Sequence, residues 1–120
     1  MVDCAIKMIG DREYVYAQTR EAVTSQAMAT FQKRASELAG PHGLLLFLFD
    51  VRGCADEIGT MDTIEVVEAW KEGLPAFARI AVLVSDDDTS YDFFETAAQN
   101  RSLTVKCFVK QDDALNWLLS

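Results

Sequence analysis

Acidic side chains that follow apolar runs are the residues of this sequence most suited to chemistry. Asp50 ends the apolar run at 44–49, and three aspartates at 86–88 follow a second apolar run at 80–84. Carboxylate oxygens are ligands that Mg²⁺ prefers, so these groups could gather a cation if both runs end at one edge of a sheet. The alternative is that 86–88 form a turn and cap the next helix, whose dipole stabilises each carboxylate by roughly 0.3–1 kcal/mol.

Ser85 and Lys110 extend this set, because each follows a predicted strand. The order Asp50, Ser85, Lys110 resembles that of a phosphoreceiver domain, in which an aspartate accepts a phosphoryl group that Lys and Ser or Thr stabilise. A receiver also carries an acidic pair after its first strand, where this chain has Ile9 and Gly10. A phosphoreceiver is therefore a lesser alternative.

A hydroxyl group is predicted to lie at the start of a helix on the same edge. The segment 60–63 reads Thr-Met-Asp-Thr. A phosphate placed there would meet the unsatisfied N–H groups of the helix, so Thr63 is a candidate phosphorylation site. Asp62 or Thr63 can equally cap the helix, and both interpretations stay open at this point.

Other reactive residue types do not form a recognisable site. The cysteines at 4, 54 and 107 are odd in number and match no metal or redox spacing, which favours a reducing compartment. Cys54, in a predicted loop, is the one to test for reactivity. The single histidine, His42, lies in a loop on the amino side of the sheet. Dinucleotide, P-loop, esterase and zinc-protease motifs are missing, so we expect no catalytic residue, no metal and no cofactor.

The composition indicates a single domain over residues 1–120. A chain of 120 residues, 50% of them hydrophobic, is too short for two separate cores. Its net charge of -8 disfavours binding to nucleic acid or to anionic membrane surfaces. Because the longest apolar run, at 44–49, is far shorter than the ~20 residues that cross a bilayer, we expect no membrane insertion. With no leader pattern at its start, the chain is expected to be cytoplasmic.

Hydrophobic periodicity predicts an α/β fold. Strands are expected at 2–9, 13–19, 44–49, 80–84 and 104–109, and helices from Thr24 or Ser25 to 38, from Asp62 or Thr63 to a break near Pro75, at 91–99 and at 112–119. The order β-β-α-β-α-β-α-β-α predicts a mostly parallel five-stranded sheet with an antiparallel N-terminal edge strand and helices packed on it. The exposed edge is compatible with a homodimer.

Aromatic residues at helical spacing are predicted to face the sheet. In the second helix the inward stripe is expected to include Ile64, Val67, Trp70, Leu74 and Phe77. These rings most simply fill a core. The alternative is a cavity between sheet and helices, bordered by Phe31, Trp70 and Phe94, that would hold a small apolar ligand.

Three segments together resemble the SpoIIAA-like family, small bacterial proteins akin to the STAS domains of anti-sigma-factor antagonists and sulfate transporters. They are LLLFLFDVRG at 44–53, RIAVLVS at 79–85 and VKCFVKQDDALNWL at 105–118. The resemblance implies a non-enzymatic regulatory domain that binds another protein. It also admits a carrier of a small apolar ligand or lipid, because the lipid-binding CRAL-TRIO fold shares this layout.

The resemblance also implies where a switch would lie. Anti-sigma antagonists are switched at a serine in an Asp-Ser-Ser-Gly-like turn, and this sequence has Asp62 and Thr63 at that place, without the glycine or the paired serines. Ligands and partners of such sheets meet the carboxyl edge of the strands. The leading hypothesis is therefore a STAS-like module that binds a protein partner through Asp50, Arg52, Asp62 and Thr63.

Overall fold

The computed structural model describes residues 2–85 and 90–120. Within them the strands are β1 (Val2–Ile9), β2 (Arg12–Thr19), β3 (Leu46–Asp50), β4 (Arg79–Leu83) and β5 (Thr104–Phe108). The helices are α1 (Ser25–Ala39), α2 (Thr60–Gly73), α3 (Asp92–Asn100) and α4 (Gln111–Leu119), with a short 3-10 turn at Gly40–His42. The predicted turn and cap at 86–88 lies outside the described residues.

The strands form one sheet in the order β1-β2-β3-β4-β5. The hairpin pair β1 and β2 is antiparallel, because its short turn reverses the chain. The pairs β2–β3, β3–β4 and β4–β5 are parallel, and a helix connects the strands of each pair. This confirms the predicted α/β fold, including the antiparallel N-terminal edge strand.

Local signals set the limits of α1 and β3. The hydroxyl of Thr24 accepts a hydrogen bond from the N–H of Ala27 at 3.1 Å and caps α1, as one of the two predicted starts requires. At its other end, the N–H of Leu44 bonds to the carbonyl of Ala39 at 3.2 Å, after a turn in which Gly43 has a φ of +62°. Because the chain is still closing α1 at Leu44, β3 begins at Leu46, two residues later than its apolar run predicts.

The larger core lies between one face of the sheet and helices α1, α2 and α3. A row of aromatic rings runs through it. Phe31 stacks on Phe49 with centroids 5.0 Å apart. Trp70 meets Phe49 edge-on at 5.1 Å and Phe94 at 5.0 Å. The buried indole also donates a hydrogen bond to the carbonyl of Met28 at 3.0 Å, which satisfies its N–H and ties α2 to α1.

A smaller core lies on the opposite face, under α4. Leu48 and Leu83 of the sheet pack there with Ala114 and Leu118 of the helix. The face is covered mainly over β3, β4 and β5, where α4 makes its contacts. On that face, Tyr16 of β2 remains partly exposed beside the helix.

Phe77 does not belong to the inward stripe of α2, contrary to the prediction. The helix ends at Gly73, before Pro75, and Phe77 lies in the following turn with 91% of its surface exposed. Its φ is +67°, in the left-handed region that disfavours residues with a Cβ. The predicted stripe extends the helical spacing past the proline that stops the helix.

Replacing Phe77 with glycine should raise the free energy of unfolding by about 0.5–1 kcal/mol. Glycine removes the ~1–2 kcal/mol cost of holding an L residue in the left-handed region. Part of that gain is lost, because glycine makes the unfolded chain more flexible and so loses more entropy on folding. Phe77→Ala is the matched control: it keeps a Cβ and should change stability by less than about 0.5 kcal/mol. Urea denaturation measures both variants. A loss of about 2 kcal/mol or more in Phe77→Ala would mean that the ring is packed inward after all.

Candidate functional site

The carboxyl edge of the sheet is organised around one buried charge, Asp50. It is the last residue of β3 and is 2% exposed. Because side chains alternate along a strand, Asp50 faces the same side of the sheet as Leu48, which is the α4 side. A carboxylate in this position is stable only if its oxygens are hydrogen bonded.

Two residues supply those hydrogen bonds. The backbone N–H of Arg52 and its Nε donate to Oδ1 of Asp50 at 3.1 and 3.0 Å. Nη2 of Arg52 and the hydroxyl of Tyr16 donate to Oδ2, both at 2.7 Å. An ionised carboxylate has about four acceptor sites, so the Asp50 carboxylate is fully occupied. We call this arrangement of Tyr16, Asp50 and Arg52 the Asp50 clamp.

The clamp shifts the pKa of each of its members. Burial by itself would raise the pKa of Asp50, but the hydrogen bonds from Arg52 and Tyr16 outweigh it, and the pKa is lowered. The Asp50 contacts raise the pKa of Arg52 further. Burial, reinforced by the hydrogen bond to Asp50, raises the pKa of Tyr16 to about 12. At neutral pH the clamp is therefore a carboxylate, a guanidinium and a neutral phenol.

The loop that follows β3 is fixed to its neighbours by backbone contacts. The N–H of Val51 bonds to the carbonyl of Leu83 at 2.9 Å, and the N–H of Gly53 bonds to Oγ of Ser85 at 2.8 Å. Gly53 has a φ of +76°, which glycine adopts without strain. Further along, Val23 pairs with Asp56 in an isolated parallel bridge. The loop thus holds the Arg52 side chain, 43% exposed, in a defined position at the rim.

Asp62 and Thr63 do not cap α2, contrary to the prediction. The N-cap is Gly59, so both residues lie within the first turn. Asp62 is exposed, and its charge suits the positive end of the helix dipole. Thr63 is 5% exposed, and its hydroxyl donates to the carbonyl of Gly59 at 2.9 Å. Sequence reasoning passed over Gly59 because a glycine cap leaves no side-chain signal.

The structure separates the four predicted binding residues into two groups. Asp50 and Arg52 belong to the clamp on the α4 side. Asp62 and Thr63 lie on α2, whose Val67 packs in the core on the opposite face. Met61, next to Asp62 in the sequence, is 74% exposed, and Phe93, which lines one hollow together with Thr63, is 46% exposed. We call Met61, Asp62, Thr63 and Phe93 the α2–α3 rim.

Sequence reasoning missed three residues of the site. Tyr16 carries no signal of its own in the sequence, because its bond to Asp50 spans 34 positions and depends on which face β2 presents. The register that pairs Gln18 with Asp50 places Tyr16 within reach. Met61 and Phe93 were also missed, although an apolar residue at the exposed start of a predicted amphipathic helix is a usable signal.

The phosphoreceiver arrangement finds little support in the geometry. All the acceptor sites of Asp50 are used by Arg52 and Tyr16, and Oγ of Ser85 accepts from Gly53. Lys110 is an exposed residue at the start of α4. In the ranges 2–85 and 90–120 no group of three His, Cys, Asp or Glu residues is arranged to hold a metal ion. The aspartates at 86–88 lie outside those ranges.

The candidate reactive cysteine and the candidate ligand pocket are both buried in packed surroundings. Cys54 is 8% exposed, its thiol donates to the carbonyl of Thr19 at 3.2 Å, and burial raises its pKa, which opposes reactivity. Phe31, Trp70 and Phe94 belong to the aromatic row of the larger core, where the rings are in contact.

Comparison with known proteins identifies the fold. No protein-family model and no curated protein matches the sequence. A protein from Shewanella loihica, described as an uncharacterised DUF3478 protein with a SpoIIAA-like fold, has a similar structure. Its TM-score is 0.65 at 16% identity, over 98% of this chain and 93% of that one. An anti-sigma factor antagonist from Mycobacterium paratuberculosis has a TM-score of 0.57 at 13% identity, over 100% and 96%.

This chain therefore has the SpoIIAA-like α/β fold that the sequence resemblance predicted. The strands of the mixed sheet and the four described helices follow that architecture. Across residues 2–85 and 90–120, none of the helices has the length and apolar character to span a bilayer.

The Asp50 clamp predicts how Tyr16 titrates. In a spectrophotometric alkaline titration, one tyrosine should ionise near pH 12. Asp50→Asn should lower the pKa of Tyr16 while leaving it above 10, because burial remains. Because the pKa of Tyr16 in the folded protein lies above its ordinary value of 10, the contribution of Tyr16 to the free energy of unfolding is constant below pH 10. This contribution is lost as the pH rises from 10 to 12. Tyr16→Phe assigns the signal. An unchanged late transition in Asp50→Asn would contradict the clamp.

Arg52→Ala should destabilise the protein at neutral pH by about 2–4 kcal/mol, because it leaves a buried carboxylate with fewer donors. The difference from wild type should shrink as the pH falls. In wild type, the lowered pKa of Asp50 gives stability that is present above pH 3.8 and is lost below it. In the variant, Asp50 protonates at higher pH and sheds its unpaired charge.

Urea denaturation of the two proteins between neutral pH and pH 4 measures this difference. Asp50→Asn/Arg52→Ala is the matched control, because it removes the charge and should show a weaker pH dependence than Arg52→Ala. A stability difference that grows on acidification would contradict the assignment.

Proposed function

We propose that this chain is a non-enzymatic, STAS-like module that binds another protein through the carboxyl edge of its sheet. The similarity in fold to an anti-sigma factor antagonist supports a protein partner. The occupied state of the Asp50 carboxylate supports a binding role over a catalytic one, because a nucleophile or base needs an unshared acceptor site. The net charge of -8 argues against nucleic acid.

The observation that carries the proposal is the fixed position of Arg52 at the rim. Its two side-chain bonds to Asp50 use two of the five N–H donors of the guanidinium. The side chain is 43% exposed, so the remaining donors can meet a carboxylate or carbonyl of a partner. A side chain that is already ordered loses less entropy on binding, and arginines are frequent hot spots of interfaces.

The α2–α3 rim supplies the second part of the proposed surface. Met61 and Phe93 offer apolar contact area, and Asp62, which directly follows Met61, carries an exposed charge. Together with Arg52 they give the mixture of apolar and charged groups that interfaces use. Asp50 and Thr63 are buried, so they would not contact the partner directly. Asp50 holds the Arg52 side chain in position, and Thr63 fixes the first turn of α2 through its bond to Gly59.

Phosphorylation of Thr63 remains a prediction, and the geometry defines what it requires. The hydroxyl is hydrogen bonded to Gly59 and buried, so a kinase would need the first turn of α2 to open. A phosphate with about two negative charges would then lie beside Asp62 and make the α2–α3 rim more negative. In this proposal the modification regulates partner binding. We also propose a cytoplasmic location, which the free thiols of Cys4, Cys54 and Cys107 support.

The proposal predicts that the partner binds at the carboxyl edge of the sheet, through Arg52 and the α2–α3 rim, and not at the amino edge. The immobilised full chain is used to retain proteins from a lysate of its source, and the retained protein is purified and its Kd measured. Arg52→Glu and Asp62→Lys should each weaken that Kd about tenfold or more, because each reverses a charge in the surface. Circular dichroism must show that both variants are folded, because Arg52 also supports the buried Asp50. Phe77→Gly, at the opposite edge, is the matched control and should bind as wild type does.

Two further measurements separate the alternatives. Thr63→Val keeps the shape of the side chain and cannot be phosphorylated. If Thr63 is the regulatory site, this variant should yield no phosphorylated protein, and kinase treatment should no longer change its Kd for the partner. Native mass spectrometry of gently purified protein tests the apolar-carrier alternative, which predicts a retained ligand mass. Equal capture by wild type and by both charge-reversed variants would contradict the proposed surface.

A further inference from the structure

The outer edge of β1 is a second surface whose chemistry points to a specific partner. β1 is eight residues long and lies at the end of the sheet order. Among the described strands it pairs with β2 on one side only. The backbone N–H and C=O groups along an open strand edge are a template for pairing with another strand.

The sequence of this edge is complementary to itself. Asp3 and Lys7 are exposed, lie four positions apart and point to the same face of the strand. We infer that a second copy of this chain pairs with β1 in an antiparallel arrangement centred on Ala5. In that register Asp3 lies opposite Lys7 of the second copy, and Lys7 lies opposite its Asp3. The two sheets then continue as one.

The register follows from the geometry of the sheet. A two-fold axis perpendicular to the sheet keeps the helix-covered faces on the same side, so opposed residues must both be odd or both be even in number. Of the registers that satisfy this rule, the one centred on Ala5 is the one that opposes Asp3 to Lys7. Opposite charges directly across an antiparallel pair stabilise it, and like charges destabilise it.

The other face of the strand is apolar in the same register. Val2 then lies opposite Met8 of the second copy, and Cys4 lies opposite its Ile6. Met8 is 59% exposed in the single chain. Between β1 and α1 there is an open hollow of about 270 Å³, lined by Cys4, Arg34, Glu37 and Leu38. Ile6 and Met8 of the second copy would cover this hollow and bury their side chains.

The Arg34 guanidinium already donates to the carbonyl of Val2, so the pairing is expected to rest on the backbone groups from Cys4 to Met8. Two other features of the chain oppose this association, and both are answered locally. Two copies of net charge -8 repel each other, but at physiological salt this repulsion falls off over about 8 Å, whereas directly opposed residues of an antiparallel pair have Cβ atoms only about 4.5–5.5 Å apart. Lysine on an edge strand commonly prevents pairing. Here the Lys7 ammonium lies over the Tyr16 ring at 4.1 Å, on the face of the sheet and away from the open edge.

A charge exchange tests the inference. Sedimentation equilibrium over a concentration series should show a dimer for wild type. Asp3→Lys places two lysines opposite each other twice in the dimer, and Lys7→Asp does the same with aspartates, so each should weaken self-association about tenfold or more. An equimolar mixture of the two variants should associate as wild type does, because every opposed pair is then of opposite charge.

The chain Asp3→Lys/Lys7→Asp, which carries both changes, should also recover the dimer, and circular dichroism checks that every variant is folded. As an independent measurement, Ala5→Cys should form an intermolecular disulfide on oxidation, because the opposed Cα atoms lie about 4.5–5.5 Å apart. Asp3→Cys, the control, should not. A monomeric wild type, single variants that dimerise as wild type does, or a mixture no stronger than its components would each overturn the inference.

Discussion

The buried carboxylate of Asp50 is the constraint on which the carboxyl edge depends. A charge at the end of a strand that is covered on both faces costs several kcal/mol unless donors surround it. Arg52 can supply three of the four hydrogen bonds only if the chain turns back immediately after β3. Tyr16 supplies the fourth only if β2 lies next to β3 in its observed register. One carboxylate therefore fixes a loop conformation and a strand neighbour together.

That constraint also limits the chemistry that is open to Asp50. Acid–base and phosphoryl-transfer chemistry need an acceptor that changes partners during the reaction. The Asp50 clamp instead has each acceptor site filled, and the donor on the other side of the loop, Gly53, is bonded to Ser85. Its satisfied hydrogen bonds produce a rigid rim, and rigidity with exposed donors is an advantage for recognition.

Local and periodic features of the fold, and the sheet topology that follows from their order, were predictable from the sequence, and long-range side-chain contacts were not. The hairpin, the order of elements and the Thr24 cap follow from alternation, spacing and a hydroxyl at a helix start. The bond between Tyr16 and Asp50 joins residues that only the sheet brings together. Phe77 was misplaced because a helical period carries no information beyond Pro75. Glycine at the start of α2 leaves a weak signal, so the helix was expected to begin too late.

The clamp and the open edge of β1 lie on one continuous face of the sheet. Lys7 stacks on the ring of Tyr16, and the hydroxyl of that ring donates to Asp50, which in turn orients Arg52. Coupling between two sites requires that binding at one changes an interaction that the other uses. A second chain along β1 would place an aspartate beside Lys7 and so alter the field at Tyr16. Tyr16 therefore connects the two surfaces, because it belongs to the clamp and its ring contacts Lys7 of the edge strand.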